Sequence, residues 1–284
     1  MSPSKTDFLL AWSLRAVAAI TGAIVILIVG FLVVEAMPIL RKVGIGAFFT
    51  GGQWHPAEEK YDLTPMLVGS LFSMAGAVLI ATPLGLLSAV FCHYYAPPFI
   101  AKTYRRVIEL LAGIPSVVYG LWGLVVLVPL IGGIRPPGPS LLAGILVLAI
   151  MILPTIALMA DASLANVPEH YRRSAAALGL SRWATIRSVI FPAAKSGLFT
   201  GVILETGRAT GETMALLMVC GNVVQNPKSV FDPIRTLTVN IALEMAYALG
   251  DHRSALFVSG LVLMVLIVAL AACAEIVSKG HIHG

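Results

Sequence analysis

Read as a pattern of apolar and polar positions, the chain is a series of long apolar runs joined by shorter polar connections. Six runs, at residues 16–34, 66–94, 110–131, 140–159, 198–224 and 254–276, approach or exceed the roughly 20 residues that a helix needs to cross a hydrocarbon core. Pro83, Gly85, Pro115, Gly120, Pro129 and Pro154 lie inside these runs. They would weaken a soluble helix, but in a membrane neighbouring helices repair the freed backbone groups, so kinked and closely packed helices are expected. The pattern therefore predicts an all-α polytopic membrane protein with six transmembrane helices. The first run follows Lys5 and Arg15 and resembles a signal peptide, with residues 34–36 as a loose cleavage site. At 19 residues it exceeds the usual apolar region of such a peptide, and it reads as a retained span.

Composition supports this class. Of 284 residues, 58% are hydrophobic and 12% charged, and the mean hydropathy is +0.92, more apolar surface than a soluble domain can hide. The net charge of +5 does not form a compact basic patch interleaved with aromatics, so nucleic acid is not an expected partner. Basic residues gather instead in connections. With the N-terminus inside, eleven lysines and arginines fall on inner segments and seven on outer ones, which predicts both termini on the cytoplasmic side of the inner membrane. Cys92, Cys220 and Cys273 lie in or beside apolar runs without metal-ligand spacing and read as reduced packing residues. Neither a metal site nor a cofactor of this chain's own is expected. No phosphate-cradling glycine loop, HExxH or nucleophile elbow is visible, so any driving energy must come from a partner or an ion gradient.

The chain divides into residues 1–65, holding the N-terminal segment, the first span and an outer loop, and residues 66–284, the remaining spans. The outer loop at 35–65 carries Phe48, Phe49, Trp54 and Tyr61 among glycines, a composition suited to interfacial helices or a lid on the membrane face. A second long connection, 222–253, mixes polar and apolar residues.

The connection within 160–197 is the most organised polar part. Asn166 and Glu169 have the spacing of a capping box, and Pro168 suits a first helical turn. Residues 171–178 favour helix, Gly179 ends it, and Ser181 caps a second helix running through Trp183, Ile186 and Ile190 up to Pro192. The small Ala175, Ala176 and Ala177 permit close approach of another surface, as a docking element requires. A basic amphipathic hairpin lying on anionic lipid headgroups fits equally.

One apolar run contains charges. Glu205, Arg208 and Glu212, separated by three and four residues, would stack on one stripe of a helix, each costing roughly 2.5–3.5 kcal/mol at mid-membrane. Such a stripe must face protein or a water-filled path. Arg208 is a candidate anion-binding group, because its guanidinium stays charged and presents several fixed donors. Glu212 at i+4 would pair with it, either as a gate that an anion opens or as a permanent structural ion pair. Thr213 and Thr210 flank the pair and either face the path or bond their own backbone. Ser116 and Tyr119, a turn apart beside Pro115, either present hydroxyls to the path or bond between helices. Glu205 receives no role.

Ser174-Ala175-Ala176, then Gly179, then nine residues and Val189-Ile190-Phe191-Pro192 resemble the EAA loop of ABC importer permeases, with Ser174 in place of the family's glutamate and Val189 and Phe191 in place of its isoleucine and leucine. Gly113-Ile114-Pro115-Ser116-Val117-Val118-Tyr119-Gly120 and Gly207-Arg208-Ala209-Thr210-Gly211-Glu212-Thr213-Met214-Ala215, followed by Gly221-Asn222, resemble the phosphate-specific permeases of that family. Phe48, Phe49, Trp54 and Pro56 are more similar to their C-type than their A-type subunit. The resemblance implies type I importer architecture and an ATPase dimer gripping Ser174, Ala175, Ala176, Gly179 and Pro192. It further implies a second, A-type permease subunit, an extracytoplasmic phosphate-binding protein, and ATP used only by the partner. Membrane lipid is the remaining partner. Another oxyanion such as sulfate or molybdate, a proton-coupled carrier relaying through Glu205 and Glu212, and a membrane scaffold are the competing functions.

Overall fold

The computed structural model describes residues 5–279; the chain ends expected inside, 1–4 and 280–284, lie outside the described residues. Helix α1 (Lys5–Val43) is followed by one turn, α2 (Ala47–Thr50), and a hairpin of β1 (Trp54–His55) and β2 (Lys60–Tyr61). Then come α3 (Thr64–Val90), α4 (Pro98–Ala112), α5 (Ser116–Trp122), α6 (Val128–Ile134) and α7 (Leu141–Ala165). The rest comprises α8 (Glu169–Ala177), α9 (Arg182–Thr185), α10 (Phe191–Gly211), α11 (Met214–Val219), α12 (Leu237–Glu244) and α13 (Gly250–Lys279). Six helical segments among the described residues are long and apolar enough to cross a membrane: Leu10–Val43, Thr64–Tyr95, Ser116–Ile134, Leu141–Ala165, Arg182–Gly211 and Gly250–Cys273. The number of spans and the all-helical class agree with the hydropathy pattern. The small hairpin is the only sheet in the described residues, and a single parallel β-bridge joins Gly221 to Ile234.

The centre of the bundle is α3 against α7. Met74, Ala77 and Ala81 from α3 meet Ile145, Leu148, Ile152 and Ile156 from α7, each set spaced by three or four residues so that it forms one stripe. Helix α1 runs along α13 at the periphery, and most of its side chains are exposed, as suits a lipid-facing helix.

Three spans contain a π-helical turn, at Phe91–Tyr95, Gly123–Leu127 and Ile186–Ile190, and each lies just before a proline: Pro97, Pro129 and Pro192. Proline lacks an N–H and its ring clashes with the carbonyl four residues earlier, and a wider turn displaces that carbonyl. Pro192 therefore does not stop the helix begun at Ser181, as its position suggested. It sits in the first turn of α10, and the segment runs on to Gly211.

The third span begins at Ser116, not at residue 110. Gly113 and Pro115 break the chain, and Leu110 and Leu111 belong to α4, a separate amphipathic helix. Its Arg105 grips Asp161 of α7 through Nε at 2.8 Å and Nη2 at 3.0 Å, with His93 Nδ1 3.4 Å from the same carboxylate.

The loop at 35–65 is a packed unit, not an open lid. Phe48, Trp54 and Tyr61 are buried with Leu237, Ala248 and Val258, and Asp62 accepts from the amides of Gly52 and Thr64 to hold the turn.

Candidate functional site

In the α8–α9 hairpin, Gly179 adopts φ +70°, in the left-handed region that glycine tolerates without strain. The amides of Leu178, Gly179 and Leu180 donate to the carbonyls of Ser174, Ala176 and Ala175, closing the end of α8. Ser181 Oγ accepts from the amide of Ala184 at 3.3 Å and caps α9. The capping box does not form. Asn166 ends α7 and Pro168 occupies the cap position of α8, so the chain lacks the turn that would bring Asn166 to Glu169. Of the expected docking residues, Ser174, Ala176, Gly179 and Pro192 are exposed, whereas Ala175 is buried within the chain. Helix α8 contacts this chain's own second arm at residues 186–190, where Ile186 and Ile190 are buried.

At the other string the expected continuous helix is broken. Helix α10 ends at Gly211, and Glu212 is extended with φ −66° and ψ 131°. The Arg208–Glu212 pair is consequently absent. Glu212 Oε1 instead accepts from the amide of Ala215 at 3.1 Å, at the start of α11. Two further polar groups of the break are paired: Thr213 Oγ1 donates to the carbonyl of Gly211, and Thr238 Oγ1 from α12 donates to the carbonyl of Glu212 at 2.8 Å. A break inside an apolar region persists only with such partners.

With Glu212 withdrawn, the carboxylate nearest Arg208 is Glu205, Nη1 to Oε2 at 3.8 Å, an ion pair too long for a hydrogen bond. Glu205 is buried, and that Oε2 has no hydrogen-bond donor. The Arg208 side chain is 37% exposed. Thr210 donates to the carbonyl of Thr206, the backbone alternative for this residue.

The two strings meet. A Cβ on Gly120 would lie 2.8 Å from Ala215 Cα, so α5 and α11 touch backbone to backbone at this glycine. Tyr119, beside it, is buried, and its hydroxyl donates to the carbonyl of Leu111 at 2.8 Å, across the break between α4 and α5. Its hydroxyl proton is thus spent on a structural tie. Ser116 is half-buried.

Sequence reasoning missed a polar cluster at the hairpin end. Glu244 accepts from Trp54 Nε1 at 2.9 Å and Arg235 Nη1 at 2.6 Å, with His252 Nε2 at 2.8 Å. Arg235 also donates to the Asn222 carbonyl and to Asn240 Oδ1. The only local signal was the i, i+4 spacing of Asn240 and Glu244 in a short apolar helix.

Six spans, a broken helix carrying an intramembrane arginine, and a glycine-turned hairpin at one end define a membrane component of a transport system. Residues 81–280 match the family described as binding-protein-dependent transport system inner membrane component. The chain belongs to that family: it is a multi-pass inner-membrane permease component of an ABC importer, and it is not the ATPase. It is 44% identical over 225 residues to YqgH of Bacillus subtilis, named as a probable ABC transporter permease, covering 77% of this chain and 73% of that protein. It is 36% identical over 251 residues to a phosphate transport system permease protein, PstC, of Mesorhizobium japonicum, covering 81% and 77% respectively. In fold it is similar to a bacterial ABC transporter involved in alginate import (TM-score 0.68, 12% identity, 96% of this chain and 97% of that one). The MetNI methionine transporter is also similar (TM-score 0.60, 19% identity, 77% and 94%).

Proposed function

We propose that the chain is the C-type permease subunit of an importer of inorganic phosphate. The observation that carries this reading is Arg208: a guanidinium in an apolar span, part-exposed, whose nearest carboxylate among the described residues stands at 3.8 Å. Its donors are free for an oxyanion. Relatives named as phosphate permeases at about a third identity support the choice of cargo. The basic bias supports a cytoplasmic position for both termini and the α8–α9 hairpin. There Ser174, Ala176, Gly179 and Pro192 meet an ATPase dimer, and ATP is consumed by that partner. The Trp54 hairpin and α12 then face outward, toward a phosphate-binding protein, and an A-type permease completes the heterodimer.

The test is labelled-phosphate uptake by the reconstituted complex. Arg208→Gln, assembled normally, is expected to lose about tenfold or more, the contribution of a charge-assisted contact of this kind. Wild-type rates in that variant, or sulfate displacing phosphate at equal concentration, would sink the proposal.

A further inference from the structure

A cleft of about 400 Å³ opens beside the hairpin, between α8, α9 and the end of the second span. Arg172, Arg173 and Arg182 line it with His93, Tyr94 and a single carboxylate, Glu169. Glu169 is engaged with Arg173 at 3.1 Å, across one helical turn. Arg172 and Arg182 have no carboxylate partner among the described residues. The cleft thus presents two unneutralised guanidinium groups, which suit an anion of about two charges.

The cleft adjoins the surface expected to dock, since Ala176 lines it. At about 100° per residue, Glu169, Arg172, Arg173 and Ala176 share one face of α8, and Ser174 lies about 100° or more around the helix from each of them.

We propose that this cleft binds a phosphate-bearing anion, held by Arg172 and Arg182, which braces the hairpin against the end of the second span. Such an anion comes either as free phosphate or as a phospholipid headgroup, and the cleft has room for both. The site stands on the arginines themselves. Its consequence, slower uptake when the cleft is filled, rests on the phosphate-importer reading.

The experiment titrates inorganic phosphate into the full-length chain in zwitterionic lipid nanodiscs, read by phosphorus NMR line width. Saturable broadening is expected, and should persist in Arg208→Gln. The Arg172→Gln/Arg182→Gln pair should weaken it about tenfold or more, and Glu169→Gln, which frees Arg173, should strengthen it. A gain of affinity is not a result that misfolding produces. Unchanged titration in the double variant, or broadening lost only with Arg208→Gln, would overturn the site. Nanodiscs containing anionic phospholipid separate the sources: loss of the phosphate signal assigns the cleft to a headgroup, and its persistence assigns it to free phosphate. Uptake is measured on the same variants, so a cleft that binds in a complex that imports no phosphate refutes the importer reading and leaves the site standing.

Discussion

Replacing Glu244 by alanine is expected to destabilise the hairpin end of the bundle far more than its place in a short helix suggests. Its side chain is 10% exposed and Arg235's is 18%, so water screens the pair little. Removing the carboxylate leaves the buried Trp54 Nε1 without an acceptor, and the Arg235 guanidinium with only the Asn222 carbonyl and Asn240. An orphaned buried donor costs about 1–3 kcal/mol, and breaking a buried ion pair about 3–5 kcal/mol. Because Arg235 keeps two acceptors, the lower end of each range applies, about 4 kcal/mol in total. At about 2–4 °C per kcal/mol for a chain of this order of size, the midpoint should fall by about 8–16 °C. The assay is thermal loss of the monodisperse species in detergent, followed by size exclusion. Glu244→Gln should fall less, since it retains an acceptor for Trp54. Trp54→Phe combined with Glu244→Ala should cost less than the two singly, by about 1 kcal/mol, because both remove the same bond. Strict additivity, or a midpoint unchanged in Glu244→Ala, would refute this account of the cluster.

Two further substitutions probe close approach and backbone conformation. Gly120→Val drives a side chain into the Ala215 backbone, 2.8 Å from where its Cβ would sit. It should cost about 1–3 kcal/mol and lower the yield of monodisperse protein, and wild-type yield and midpoint would show that α5 and α11 are not in contact. Gly179→Ala meets no neighbouring atom within 4 Å but must hold φ +70°. The strain is therefore backbone alone, about 1 kcal/mol, and should leave expression intact while cutting uptake by the complex several-fold. Unchanged uptake would remove the hairpin turn from coupling.

The number of spans was legible because hydropathy is a local property. Their breaks were less so. Leu110 and Leu111 extend the apolar run of the third span, yet they lie on α4, where an outward apolar side looks like span sequence until Gly113 and Pro115 are taken as punctuation. The charges at 205–212 follow helical spacing, but the helix stops at Gly211 because Thr238, 26 residues away, supplies a donor to the Glu212 carbonyl. Glu244 was unreadable for the same reason: Trp54 lies 190 residues from it in sequence. Gly179 and Ser181 were read correctly because a left-handed turn and a helix cap are set by the residues that make them.

Glu205, which sequence spacing left without a role, gains one if Arg208 is the anion contact proposed above. An anion must leave a translocation path as readily as it enters, so a lone guanidinium in a dry span would hold it too well. Glu205 stands 3.8 Å from Arg208, near enough to offset its charge and too far to occupy its donors. On the proposed reading of Arg208 as an anion contact, the buried carboxylate is a standing competitor that weakens the hold on a passing anion. Glu205→Gln removes the charge while keeping the shape, and should raise the apparent affinity of the membrane path while lowering maximal uptake, as release becomes slow. The two effects must move in opposite directions. Loss of maximal uptake with unchanged or weaker affinity would mean that Glu205 only props Arg208 in place, and the competition between carboxylate and anion would be refuted.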